Sequence, residues 1–97
     1  MIMAKGYLVA RIQVHDTEMF EKFKKMSDPI IAKYGGKIIV RNPNPDIREG
    51  SDSSLVIIVE FKSLKNARKF YESDSYKQAR AVRKLSASTD LILVEGK

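Results

Sequence analysis

The chain has 97 residues, of which 43% are hydrophobic and 31% charged, with a formal net charge of +6 and neither cysteine nor tryptophan. This length predicts a single domain over residues 1–97. The composition excludes a disulfide framework and thiolate-based zinc sites, and the longest aliphatic run, Leu55–Val59, is far shorter than the ~20 residues of a membrane-spanning helix.

The hydrophobic pattern predicts four strands and two helical regions, the second region broken in two. In chain order these are a strand at Gly6–Val14, a helix from Thr17 to Tyr34, strands at Lys37–Arg41 and Leu55–Phe61, helical segments from Leu64 to Tyr71 and from Tyr76 to Leu85, and a strand at Asp90–Glu95. In the last helical segment, the spacing aligns Ala79, Val82 and Leu85 on one apolar side.

Local signals set the ends of these elements. Asp16 and Ser63 are natural N-caps, and Gly35-Gly36 supplies a left-handed stop for the first helix. Pro29 lacks an N–H group, so a kink or a restart of that helix is expected there. The polar stretch from Asn42 to Ser54 is long for a connection within a compact domain, which indicates a mobile or a functional loop.

The order βαββαβ predicts an α+β, ferredoxin-like fold: a four-stranded antiparallel sheet with both helical regions on one face and the first and third strands in the centre. Alternation along the first strand directs Leu8, Ala10, Ile12 and Val14 toward the helices. The other face then carries Val9, Val56 and Ile58, with Leu91 and Leu93 as further candidates. Such an apolar face is rarely left bare, so we predict a homodimer in which two sheets pack together.

The excess of positive charge lies in one segment. Eight basic residues occur between Lys62 and Lys84, opposed only by Glu72 and Asp74, which accounts for the whole of the +6. The solvated faces of amphipathic helices explain this pattern best, and nucleic-acid binding is the alternative. A ferredoxin-like sheet that binds RNA also needs stacking aromatic residues, and only Tyr7 is predicted on the open face.

Several short segments together carry a resemblance that covers nearly the whole chain. They are Gly6–Arg11, Tyr34–Lys37, the end of strand two, Glu49-Gly50, Glu60–Leu64, Phe70-Tyr71, Ser75-Tyr76 and Leu91–Gly96. In these segments the chain resembles the domain-of-unknown-function 1330 family of the dimeric α+β barrel superfamily. The resemblance implies a protomer that pairs through its sheet, and it implies no established reaction.

The resemblance also has limits. The superfamily includes cofactor-free monooxygenases, lactone isomerases and haem-handling enzymes, so the fold alone does not select a chemistry. Family members tend to have glycines where this chain has Asn42–Pro45, and a tryptophan where it has Ser51–Ser54. Both departures fall in the long loop.

Four residues are candidates for a binding site on the open face. Arg11 and Glu60 are expected about equally far along adjacent, parallel central strands, where they would form a buried ion pair or hold an anionic substrate with Glu60 as base. Arg41 is a second anion-binding candidate if Lys37 and Ile39 face outward, and Tyr7 either packs there or donates a hydrogen bond. The only histidine, His15, is interpreted as a turn residue.

The leading hypothesis is therefore a cytoplasmic homodimer that binds a small anionic or apolar molecule in a pocket on the open sheet face. A monooxygenase-like or isomerase-like enzyme using Arg11 and Glu60 is the alternative, and a nucleic-acid-binding module ranks third. We expect no metal, no other cofactor and no membrane association. Arg11 also interrupts the early apolar stretch Tyr7–Ala10, so no signal peptide is expected.

Overall fold

The computed structural model describes residues 4–51 and 54–97. Its elements are β1 (Gly6–Val14), α1 (Thr17–Lys33), β2 (Lys37–Asn42), β3 (Leu55–Phe61), α2 (Leu64–Glu72), α3 (Asp74–Ser86) and β4 (Ala87–Glu95). The strands form one antiparallel sheet in the order β2-β3-β1-β4, so β1 and β3 are central. The three helices pack on one face of it. The predicted ferredoxin-like fold is confirmed.

The helix ends follow the local signals in the sequence. Asp16 Oδ1 accepts a hydrogen bond from the Met19 amide at 3.1 Å, and Ser63 Oγ accepts one from the Asn66 amide at 3.1 Å. Gly35 has a φ of +75°, the left-handed conformation that glycine adopts without steric cost.

The predicted restart at Pro29 does not occur, because α1 runs continuously from Thr17 to Lys33. Residues on both sides of the proline are buried against the sheet, among them Phe23, Ser27 and Ile31. The packing of this face stabilises the helix enough to offset the loss of the backbone hydrogen bond that Pro29 cannot donate.

A single serine separates α2 from α3. Ser73 Oγ donates to the Phe70 carbonyl oxygen at 2.7 Å and accepts from the Tyr76 amide at 3.2 Å, so it closes one helix and caps the next. The buried positions of α3 are Tyr76, Ala79, Arg83 and Ser86. The predicted alignment of Leu85 with this side is therefore wrong, and its side chain is 74% exposed.

The core lies between the sheet and the helices, and aromatic rings dominate its centre. Phe70 is fully buried, with its ring centroid 5.3 Å from that of Phe61 and 4.3 Å from that of Tyr76. Leu8, Ala10 and Ile12 supply the sheet side, as the alternation along β1 predicts. Among residues 4–51 and 54–97, the helices cover one face of the sheet, and no helix lies on the other, open face.

The first residue of β1 is in close contact with the start of α2. A Cβ atom on Gly6 would lie 2.5 Å from both the Cα and N atoms of Leu64 and closer still to the Ser63 carbonyl oxygen. These are backbone atoms, so α2 would have to move away from the sheet to make room.

We therefore expect Gly6→Ala to lower the free energy of unfolding by about 3 kcal/mol, measured by urea titration. Gly35→Ala is the matched control, since its Cβ would meet nothing within 4 Å and its positive φ alone should cost about 1 kcal/mol. Equal losses in the two variants would show that the β1–α2 contact is not the constraint.

Candidate functional site

The open face of the sheet carries an apolar row that crosses all four strands. The cross-strand register aligns Val40, Ile58, Val9 and Ile92. On one side of it lies a row formed by Lys37, Glu60, Tyr7 and Val94, and on the other a row formed by Asn42, Val56, Arg11 and Asp90. The face thus has an apolar middle with charged groups on both sides.

The contribution of β4 to this face differs from the prediction. Leu91 and Leu93 lie opposite Ala10 and Leu8 and pack against the core. Their place on the open face is taken by the alternate residues Ile92 and Val94, and Ile92 is 58% exposed. The open face is therefore apolar as predicted, but through the other set of β4 side chains.

Tyr7 and Glu60 are brought together on the open face. The Tyr7 hydroxyl donates to Glu60 Oε2 at 3.2 Å, and Lys37 lies directly opposite Glu60 on β2. Loss of solvent raises the pKa of Tyr7, and the adjacent Glu60 carboxylate raises it further by accepting the hydrogen bond and by its charge. Tyr7 thus stays protonated at neutral pH and holds the carboxylate in place.

Arg11 and Glu60 are not brought together within the protomer. Arg11 lies opposite Val56 on β3 and Asp90 on β4, whereas Glu60 lies opposite Tyr7. The two positions are therefore offset by four residue steps along β1, about 13 Å. The prediction that they lie equally far along parallel neighbours is wrong, because β1 and β3 are antiparallel.

Arg41 lies on the helix-covered face instead of the open face. The pairing of β2 with β3 shifts between Ile38 and Val40, so one extra residue, Ile39, is inserted at a β-bulge. The insertion reverses the facing of Arg41, whose Nη2 lies 3.0 Å from Asp28 Oδ1 of α1. The predicted placement of Arg41 is corrected by this bulge.

The long loop lies beside the Arg11 end of the open face. A cleft of about 400 Å³ is lined by Arg11, Pro45, Asp46, Ile47, Arg48, Glu49, Ser54 and Val56. Two features give the loop its local shape: the Asn44 amide donates to Asn42 Oδ1 at 2.8 Å, and Gly50 has a φ of +87°. Asp52 and Ser53, part of the segment where relatives tend to carry tryptophan, lie outside the described residues.

A second cavity lies on the other side of the sheet, beneath the helices. It is lined largely by core side chains, together with Lys24, Asp28, Arg41 and Arg83. Arg83 did not figure among the candidates drawn from the sequence. The available signal was its spacing from Tyr76 and Ala79, which places an arginine on the buried side of α3.

The remaining site predictions concern metal ions, membranes and His15. Among residues 4–51 and 54–97, no group of three or more His, Asp or Glu side chains is arranged to hold a metal ion. In the same part of the chain, no helix has the length and apolar character needed to cross a bilayer. His15 lies in the turn after β1, with Nε2 2.8 Å from Ser88 Oγ.

The sequence also matches an established family model over almost its entire length. A domain of unknown function, DUF1330, matches residues 5–97. The chain belongs to the DUF1330 family. No curated protein matches it. The resemblance noted from the sequence is therefore confirmed.

Solved structures support the fold assigned to this DUF1330 protein. RPA0582, a protein of unknown function from Rhodopseudomonas palustris, superposes with a TM-score of 0.81 at 15% identity, covering 97% of this chain and 83% of that one. SnoaB, a cofactor-independent oxygenase from Streptomyces nogalater, gives 0.68 at 17% identity, covering 97% and 94%. A dimeric protein of unknown function with a ferredoxin-like fold from Bacteroides fragilis gives 0.63 at 13%, covering 94% and 95%. At these identities the likeness shows the fold.

Proposed function

We propose that this DUF1330 protein is a homodimer that binds a small anionic molecule. Two copies pair through the open faces of their sheets, and the ligand binds at the Arg11 end of that face. The observation that carries the proposal is an apolar row that crosses the whole sheet, formed by Val40, Ile58, Val9 and Ile92. None of the helices in the described part of the chain covers this row.

A second copy fits this row better than an unrelated partner does. A two-fold axis places the same patch on both subunits, so an apolar row through the middle of the face is opposed by its own copy. The flanking rows, with Lys37 and Glu60 on one side and Arg11 and Asp90 on the other, supply charges of both signs that fix the orientation. The similar fold of the dimeric Bacteroides fragilis protein agrees with this assembly.

The cleft beside Arg11 is the proposed ligand site on this face. Its lining combines the Arg11 guanidinium with Arg48, whose Nη2 lies 2.9 Å from Asp46 Oδ2, and with the apolar side chains of Ile47 and Val56. Guanidinium groups bind carboxylates and phosphates through two parallel hydrogen bonds. Tyr7 and Glu60 lie outside this cleft and hold the opposite end of the face.

An enzyme that uses Arg11 to hold a substrate and Glu60 as base is less well supported. Catalysis requires both groups at one reacting molecule, within hydrogen-bond reach. The register of β1 and β3 separates them by four residues in the protomer. Binding without turnover is therefore the function we propose.

Native mass spectrometry of gently purified protein tests both the pairing of two copies and the binding of a ligand. We expect a species of twice 11.0 kDa with the added mass of a small molecule. Arg11→Gln should keep the dimer and lose the added mass, whereas Arg68→Gln, an exposed position on α2, should keep both. A monomer at micromolar concentration would contradict the pairing, and an added mass that survives Arg11→Gln would contradict the site.

A further inference from the structure

We propose that Arg11 of each subunit contacts the partner's Glu60, so that the ion pair predicted from the sequence forms between two chains. This contact rests on the proposed function, since two open faces must pair, and it adds the orientation of one subunit relative to the other. Within the protomer the two residues are offset by four residue steps along the face. A second copy brings them together in one orientation and keeps them apart in the other.

Glu60 is a half-buried carboxylate whose hydrogen-bonding capacity is only partly used. Its Oε2 atom accepts a bond from the Tyr7 hydroxyl at 3.2 Å. Lys37 lies opposite Glu60 on β2, but in the described part of the chain no ion pair joins their side chains. A carboxylate can accept several hydrogen bonds at once, so Glu60 has room for a cation that approaches from outside the protomer.

The charges at the centre of the open face are placed asymmetrically. The apolar row passes through Ile58 of β3 and Val9 of β1. Glu60 lies two residue steps from this row in one direction and Arg11 two steps in the other, each about 7 Å away. The two central strands therefore present a negative group at one end of the face and a positive group at the other.

Two orientations let the apolar rows of two copies overlap along their whole length. The strands of the two sheets are then roughly aligned, and the two-fold axis lies in the interface, either along the strands or along the row. An axis along the strands sets Arg11 beside its own copy and Glu60 beside its own copy. An axis along the row sets Arg11 above the partner's Tyr7, about 5 Å to the side of the partner's Glu60. Because like charges oppose association, the charges select the axis along the row.

The contact is compatible with a ligand in the cleft beside Arg11. A guanidinium has several N–H donors, so it can bind the partner's Glu60 and still donate to an anionic ligand. A carboxylate held by a guanidinium and by the Tyr7 hydroxyl is a weak base, because both partners favour its ionised form. The contact therefore sets the orientation of the subunits and agrees with binding without turnover.

Two charge-reversing variants test the contact. In Arg11→Glu, each contact sets two carboxylates together, and in Glu60→Arg it sets two guanidinium groups together. We expect each variant alone to dimerise at least roughly 100-fold more weakly than the wild type in sedimentation equilibrium. An equimolar mixture should form a heterodimer in native mass spectrometry, because both of its contacts then join opposite charges. The double variant Arg11→Glu/Glu60→Arg should dimerise as the wild type does, for the same reason.

Matched controls reverse the same charges on α2. Arg68→Glu and Glu72→Arg change exposed positions on the helix side of the sheet and should leave the association constant unchanged. Self-association of both interface variants with the affinity of the wild type would reject the contact and leave the sheet pairing intact. A wild-type protein that is monomeric would reject the pairing itself, so the two failures are distinguishable.

Cysteine crosslinking gives a second test that needs no reversed charge. The chain contains no cysteine, so Arg11→Cys and Glu60→Cys each carry a single thiol. These replacements remove an attraction without adding a repulsion, and the apolar rows keep the subunits paired. A short bismaleimide should join the two variants in an equimolar mixture and join neither to its own copy. A crosslink of Arg11→Cys to its own copy, or a dimer in which the mixed pair does not crosslink, would overturn the proposed orientation.

Discussion

Replacing Ile92 with lysine is expected to convert the proposed dimer to monomers at micromolar concentration. Ile92 is 58% exposed in the protomer and lies at the β4 end of the apolar row, so a lysine there is tolerated while the chain is alone. In the dimer one ammonium group from each subunit is buried against an apolar surface, at a cost of about 2–4 kcal/mol for each. Because the homodimer carries the substitution twice, association weakens by at least roughly 700-fold, which sedimentation equilibrium detects as a loss of dimer.

Leu85→Lys is the control for this substitution. Leu85 is 74% exposed on α3, on the helix side of the sheet, and the change adds the same charge and removes a comparable apolar side chain. It should leave the association constant unchanged. Dissociation by Leu85→Lys together with an intact Ile92→Lys dimer would place the interface on the helices and reject pairing through the sheet.

The largest loss of stability is expected from Phe70→Ala. Phe70 is fully buried and packs against Phe61, Tyr76 and Tyr34, so its removal leaves a cavity that the surrounding rings fill only in part. Substitutions of this kind cost about 3–5 kcal/mol. For a domain of this size that corresponds to a decrease in Tm of roughly 12 °C or more, measured by differential scanning calorimetry.

Leu85→Ala is the control variant. Replacing this exposed leucine should change the free energy of unfolding by less than about 0.5 kcal/mol. A loss below about 1 kcal/mol for Phe70→Ala would mean that the aromatic cluster repacks freely and is not the centre of the core.

Much of the fold could be predicted because its signals are local. β1 and β3 have the predicted bounds, Asp16 and Ser63 cap the predicted helices, and the first and third strands are central. β4 begins at Ala87, three residues before the predicted Asp90. Its early start depends on pairing with the end of β1, where Val14 lies opposite Ala87, a long-range contact that carries no local signal.

The site was harder to predict, because it depends on register and on burial. Alternation along a strand assigns side chains to faces correctly only as far as a bulge. Because of the bulge at Ile39, Arg41 lies on the face opposite to the predicted one. The sequence prediction includes Arg83 in the solvated basic faces of the helices, because charge alone does not show which arginine in a basic segment is buried. Arg83 is the buried arginine because it lies on the same side of α3 as the buried residues Tyr76 and Ala79.

The inserted residue at Ile39 has an evolutionary consequence. Deletion of Ile39 would restore regular pairing and leave Arg41 opposite Ile57 on the cavity side of the sheet. Regular pairing of the full-length strand would instead move Arg41 opposite Val56 on the pairing side. In that second arrangement Asp28 would lose its partner, and a positive charge would appear on the surface proposed to join two subunits. Homologues with an acidic residue at position 28 and a basic residue at position 41 should therefore keep the two on one face, either through this bulge or through a strand that is one residue shorter.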